Sequence, residues 1–138
     1  MDINTRNEQH VVIMTAIYNK LLDMNYPFND YSRSLEEILT SLTKKDFKSL
    51  DPYIINTLIY SFQHYGDIVS SIIPFLNGWE WRRLPLLSQA ILVMSVAHYN
   101  VEKISKAIVI SIAVSLGKTY LDANQYRFIN AVLDEVIK

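Results

Sequence analysis

His10, His64 and His98 carry the most versatile side chains in this 138-residue chain. They fall in three separate segments, with no His-x-x-x-His or His-Glu-x-x-His spacing. A metal would have to gather single ligands from distant places, so no metal site is expected. There is no cysteine, which removes thiolate ligands, cysteine nucleophiles and disulfides together. Glu36-Glu37 and Asp134-Glu135 are adjacent carboxylates, and neighbours on a helix diverge, so they read as solvated surface rather than an acid/base pair. No glycine-rich loop precedes a helix to cradle a phosphate. Ser88 and Ser95 sit inside a helical pattern, without the sharp turn that exposes a nucleophile. The expectation is a chain that binds, with no catalytic residues, no metal and no cofactor.

Cations beside flat rings suit single-stranded RNA, because a ring stacks on a base while the cation meets a phosphate. Two places qualify: Trp79-Glu80-Trp81-Arg82-Arg83 and Tyr126-Arg127-Phe128. Against this, both tryptophans are expected to pack under an interhelical loop, and Phe128 falls on an apolar helical stripe.

The elements that would position these residues are helices. Only three glycines and four prolines punctuate the chain, and they fall between periodic segments. Thr5-Arg6-Asn7-Glu8 has the form of a capping box, opening a first helix with Met14, Ile17, Tyr18, Leu21 and Leu22 on one face. Ser34-Leu35-Glu36-Glu37 offers a second box and a short helix ending near Leu42, followed by a polar connector from Thr43 to Leu50. Asp51-Pro52 starts a third helix, which could run to about Asn77 with a bend near Gly66. Pro85 opens a fourth through Ala90, Ile91, Met94 and Ala97. A fifth covers roughly Ser105 to Lys118; being apolar all round, it is expected to be the central buried helix. Asp122 caps the last, whose stripe is Phe128, Ile129, Val132, Leu133, Val136 and Ile137. Residues 1–138 read as a single all-α domain.

The net charge of −1 is unevenly spread. Residues 1–80 carry six Lys/Arg against ten Asp/Glu, whereas residues 81–138 carry seven against four. A mildly basic second half is compatible with a polyanion partner. The N-terminus lacks the basic-then-apolar order of a secretory signal, and no apolar run approaches the roughly 20 residues of a membrane span. A cytoplasmic location is expected.

Residues 79–138 hold a set of ordered pieces: Trp81 with Arg83-Leu84-Pro85, then Ala90-Ile91-Leu92, then Ile110 to Lys118, then Arg127 to Asp134. In these the segment resembles the NusB family of bacterial transcription antitermination proteins. The last piece, RFINAVLD, is the most specific. The N-terminal half matches in outline, through Ala16-Ile17-Tyr18. The resemblance implies a bundle of about six to seven helices in two perpendicular sub-bundles. It also implies binding to a boxA-like RNA together with a small-subunit ribosomal protein in the NusE role, reaching the RNA polymerase complex indirectly. Carried over by position, the RNA-binding residues would be Arg6, His10, Asn124, Gln125, Arg127 and Phe128. Tyr18, Val93 and His98 would belong to the protein-partner surface. Family members occur as monomers and homodimers, and the resemblance does not choose between them.

Departures from the family pattern weaken parts of this picture. Where the family opens arginine-rich, this chain has Arg6, Asn7, Glu8, Gln9 and His10. Family charges are replaced at Val93 and Ile112, and a family Glu by His98. Two further readings therefore stand beside the first: a protein-interaction module that kept the fold and lost RNA recognition, and a stand-alone relative of the NusB-like domain attached to some ribosomal RNA methyltransferases.

Overall fold

The computed structural model describes residues 3–26 and 33–138, and those residues form seven α-helices with short 3-10 turns and no strand. Local chemistry sets the helix starts. α1 (Arg6–Asn25) begins at the expected capping box: the Thr5 hydroxyl accepts from the Glu8 N–H at 3.2 Å, and the Glu8 carboxylate accepts from the Thr5 N–H at 3.1 Å. Ser34 and Glu37 repeat the arrangement for α2 (Leu35–Thr43), which stops where Lys44 turns left-handed at φ 58°. Asp51 caps α3 (Pro52–Gln63) by accepting from the Tyr53 N–H at 2.9 Å.

The long third helix expected from Pro52 to Asn77 is divided. α3 ends at His64, whose φ of −114° and ψ of 22° leave helical geometry, and α4 (Tyr65–Ile72) starts afresh. The break falls two residues before Gly66, the anticipated bend. Pro74 then forces a single 3-10 turn over Ile73–Phe75, since its ring supplies no N–H to continue the α4 ladder.

α5 (Leu86–Glu102), α6 (Lys106–Tyr120) and α7 (Ala123–Val136) complete the chain. α5 is the axis of the molecule. It packs against α1 and α3 on one side and against α6, α7 and α4 on the other, joining two groups of helices. Every residue from Ser88 to His98 is buried. The expectation that the Ser105–Lys118 segment would be central is therefore overturned. In α6, Ile108 is 52% exposed, and Ser111, Ser115, Lys118 and Thr119 line the outer face.

An apolar composition did not decide which helix is central. The polar residues of α5 are absorbed internally: the Ser88 hydroxyl donates to the Gln125 side-chain oxygen at 2.9 Å, Gln89 donates to the Trp81 and Leu84 carbonyls, and Ser95 donates to the Ile91 carbonyl at 2.7 Å. The stripe of α7 comes close to expectation, with Ile129, Val132, Leu133 and Ile137 buried and Phe128 and Val136 partly so.

Candidate nucleic-acid interface

The first turns of α1 face the outer half of α6 across a gap. Between them is a cavity of about 400 Å³ walled by Asn7, His10 and Val11 on one side and by Ser111, Ile112, Ser115, Leu116, Thr119 and Tyr120 on the other. The start of α7 packs against the same end of α6, where Gly117 meets Tyr126. α6 thus links the two segments that carry the expected RNA contacts, Arg6 with His10 and Asn124 with Arg127.

Those contacts differ in availability. Arg6 is exposed, yet its guanidinium is held in place: it donates to the Gln9 side-chain oxygen at 2.5 Å, lies 3.6 Å from the Asp51 carboxylate and stacks 3.7 Å over the Tyr53 ring. His10 is 7% exposed, with Nε2 2.7 Å from the Tyr53 hydroxyl. Burial, reinforced by the Arg6 charge, holds the His10 pKa below the usual histidine value. Burial also raises Tyr53 to about 12. A neutral imidazole therefore meets a protonated phenol, and His10 brings no positive charge to the surface at neutral pH.

On α7, Asn124 and Arg127 are exposed, and among the described residues Arg127 has no hydrogen-bond or carboxylate partner. Gln125 is partly withdrawn, because its side-chain oxygen accepts from Ser88. Phe128 is half-buried against the core. Lys118 contributes a cation 5.9 Å above the Tyr126 ring. Lys118 and Tyr120, both exposed on the last turn of α6, were not among the expected site residues. Their place beside the start of α7 could have been found from the Gly117-Lys118 step, where a glycine invites close helix contact.

The expected partner positions fare worse. Tyr18 is partly exposed, but Val93 is 0% and His98 1% exposed, because both lie on the central helix. A partner could not touch either side chain without repacking the core. His98 instead joins a buried aromatic cluster, its ring 5.6 Å from His10 and 5.0 Å from Tyr53, with Nε2 lacking a hydrogen-bond partner. Burial, then the neighbouring His10 and Arg6, lower its pKa to about 4.

The tryptophans also divide. Trp81 packs as expected, half-buried, its indole N–H donating to the Tyr65 hydroxyl at 3.3 Å. Trp79 is 51% exposed. The preceding Asn77 and Gly78 both have positive φ, at 52° and 90°, and this turn carries the indole outward. The Asn-Gly pair was the signal that could have placed it.

Residues 7–138 match the NusB family. The chain belongs to that family. Among its NusB relatives, the transcription antitermination protein NusB of Helicobacter hepaticus is 30% identical over 127 residues, covering 90% of this chain and 81% of the relative. The protein of the same name from Helicobacter pylori strain G27 is 25% identical over 126 residues, covering 90% and 91%. The solved structure of T. maritima NusB superposes with a TM-score of 0.81 at 20% identity, over 98% of this chain and 92% of that one. A crystal structure described as a plectonemic RNA supercoil contains a chain superposing with a TM-score of 0.78 at 21% identity, over 97% and 94%. These likenesses establish the NusB fold from end to end of α1 to α7. Among the described residues no group of three or more His, Asp or Glu side chains could hold a metal ion, and no helix is long and apolar enough to cross a membrane.

Proposed function

We propose that this NusB-family chain is an RNA-binding transcription antitermination factor. It acts on a boxA-like RNA element with a small-subunit ribosomal protein in the NusE role, and reaches the RNA polymerase complex through that assembly. The supporting observation is the strip formed by the outer end of α6 and the segments it links. Arg6 and Asn7 lie at one end, Tyr120 and Lys118 in the middle, and Asn124 and Arg127 at the other. The strip offers cations, amides and a ring; of the carboxylates at it, Glu8 and Asp122 are engaged as helix caps, and Asp51 caps α3 and faces Arg6. Such a surface tracks a single strand by phosphate contacts and stacking. No step in this role needs a nucleophile or a bound metal.

Filter binding of a boxA-containing RNA, at low and moderate salt and with or without a NusE-type protein, tests the proposal. Retention that weakens as salt rises is expected. No retention under any of the four conditions rejects it.

One observation favours a second reading, in which the fold serves protein contacts alone: Arg6, the cation left in the first turn of α1, is already engaged by Asp51 and Gln9. Pull-down with nuclease treatment separates the two, since partners that survive removal of RNA support the protein-only role.

A further inference from the structure

Trp79 stands out among the surface aromatics. Its indole is half exposed, and its ring centroid lies 6.1 Å from that of Phe128, with the planes tilted by 51°. Phe128 is itself packed against the core, so it supports the indole, about half of which stays exposed. The backbone below is held too: the Trp79 N–H donates to the Leu76 carbonyl at 3.1 Å, closing the Asn77-Gly78 turn. An exposed ring held this way has little conformational entropy left to lose on binding.

Positive charge surrounds it. Arg83 shares the shallow depression in which Trp79 sits. Arg82 and Arg83 both approach Glu80, at 3.1 and 3.5 Å, through Nε, and their side chains remain 81% and 74% exposed. The terminal nitrogens of both guanidiniums therefore stay open to an anion. On α7, Asn124 shares the face of Phe128 at i, i+4, and Arg127, without a carboxylate partner among the described residues, precedes Phe128 in the chain. Two guanidiniums thus stand against one carboxylate in the turn that carries the indole, and Arg83 shares its depression.

We infer that Trp79 is a base-stacking residue for single-stranded RNA, with Phe128 as its positioning residue and Arg83 and Arg127 meeting the flanking phosphates. This rests on the RNA-binding reading above and extends that surface past α7 to the turn before α5. A flat indole stacks on any base, so the contribution is affinity rather than sequence choice. Trp79 thereby adds a stacking ring next to Phe128, which the resemblance placed among the RNA-binding residues. An acidic protein segment could also meet the arginines, and comparing RNA binding with NusE-type protein binding tells the two apart.

Three proteins, wild type, Trp79→Phe and Trp79→Ala, are titrated with a fluorescein-labelled, boxA-containing 12-nucleotide RNA, read by polarisation. Unlabelled RNA is titrated in parallel and read by tryptophan emission. Trp79→Ala is expected to weaken binding by about tenfold, within the range of one lost stacking contact, while Trp79→Phe retains most of the affinity. RNA should quench wild-type emission and leave Trp79→Phe, whose remaining indole is Trp81, nearly unquenched. Wild-type binding with unchanged affinity in Trp79→Ala and no quenching overturns the inference and leaves the RNA-binding reading intact. Absence of wild-type polarisation change, both without and with a NusE-type protein present, removes both. Loss of NusE-type protein binding in Trp79→Ala, with RNA affinity unchanged, also overturns it. Superimposable thermal melts of the three proteins show that folding does not account for any difference.

Discussion

Gly117 and Tyr126 touch so closely that a methyl group at Gly117 would fall 2.5 Å from the Tyr126 Cβ and 3.3 Å from its Cα. Part of that obstruction is backbone, so no rotamer change relieves it and α7 itself must move. Gly117→Ala should gain about 1 kcal/mol of helix propensity. The overlap should cost more, leaving a net loss of about 1–3 kcal/mol. Urea unfolding measures this directly. A variant as stable as wild type or more so would show that the two helices are not in contact at this point. Because Tyr126 leads into Arg127, the same substitution should also weaken RNA binding more than its stability loss alone implies.

The histidine pair predicts an acid-sensitive fold. His10 and His98 both titrate lower in the folded chain than in the unfolded one, the latter at about 4. Their neutral forms therefore stabilise the fold above the unfolded value near 6.5, and that stability is lost as pH falls from about 6.5 toward 4. The charged groups facing them are Arg6, and Asp51 and Glu102 around Tyr53. Asp23 and Asp51 are held below the ordinary carboxylate range, by the Arg33 side chain and by the Tyr53 N–H respectively, so their contribution is lost only at lower pH. His98 alone accounts for on the order of 3 kcal/mol across that window. Urea midpoints at pH 7.5, 6 and 4.5 should fall steadily in wild type and much less in His98→Leu. Parallel pH profiles for the two proteins would remove His98 as the cause.

How far the fold was readable followed from which signals are local. The capping residues Thr5, Ser34, Asp51 and Asp122 each act on the next three residues, and all four start a helix in the structure. Burial is not local. α5 carries the polar residues Ser88, Gln89 and His98 and is buried all the same, because two of them bond to groups on Gln125, Trp81 and Leu84. The serines of α6 looked like interruptions in a core helix and are its solvent face. The site shows the same division. Arg127 and Asn124 are exposed, as residues in the first turns of a capped helix usually are. The burial of His10 depends on Tyr53, forty-three positions away, and no spacing rule reports that. Trp79 was misplaced because a tryptophan is ordinarily the largest gain available to a core, and only the backbone of the Asn77-Gly78 turn says otherwise.

Phe128→Ala should be an intermediate mutation. A fully enclosed phenylalanine loses about 3–5 kcal/mol on truncation. Phe128 is packed on the core along one side and on the exposed Trp79 along the other. A loss of about 1–2 kcal/mol is expected, with the bracing of Trp79 removed as well. Thermal melting decides: a full core-sized loss would place the ring deeper than its surroundings show, and no loss would mean that it merely lies on the surface.

Asp51 has two separable jobs, and a single substitution can divide them. Its Oδ1 caps α3, and its Oδ2 accepts from Gln9 at 3.2 Å and lies 3.6 Å from the Arg6 guanidinium. Asparagine caps a helix about as well as aspartate, so Asp51→Asn should leave α3 and overall stability nearly unchanged. What it removes is the negative charge that competes with phosphate for Arg6. If Arg6 belongs to the RNA surface, the freed guanidinium adds one phosphate contact. Binding should then tighten at low salt, and the slope of log K against log salt should steepen by about 0.7, the increment for one contact on a single strand. Arg6→Ala should cancel both changes in the double variant. An unchanged slope in Asp51→Asn, measured by filter binding from 50 to 200 mM salt, would leave Arg6 as a purely structural brace on Tyr53 and confine the RNA surface to α6 and α7.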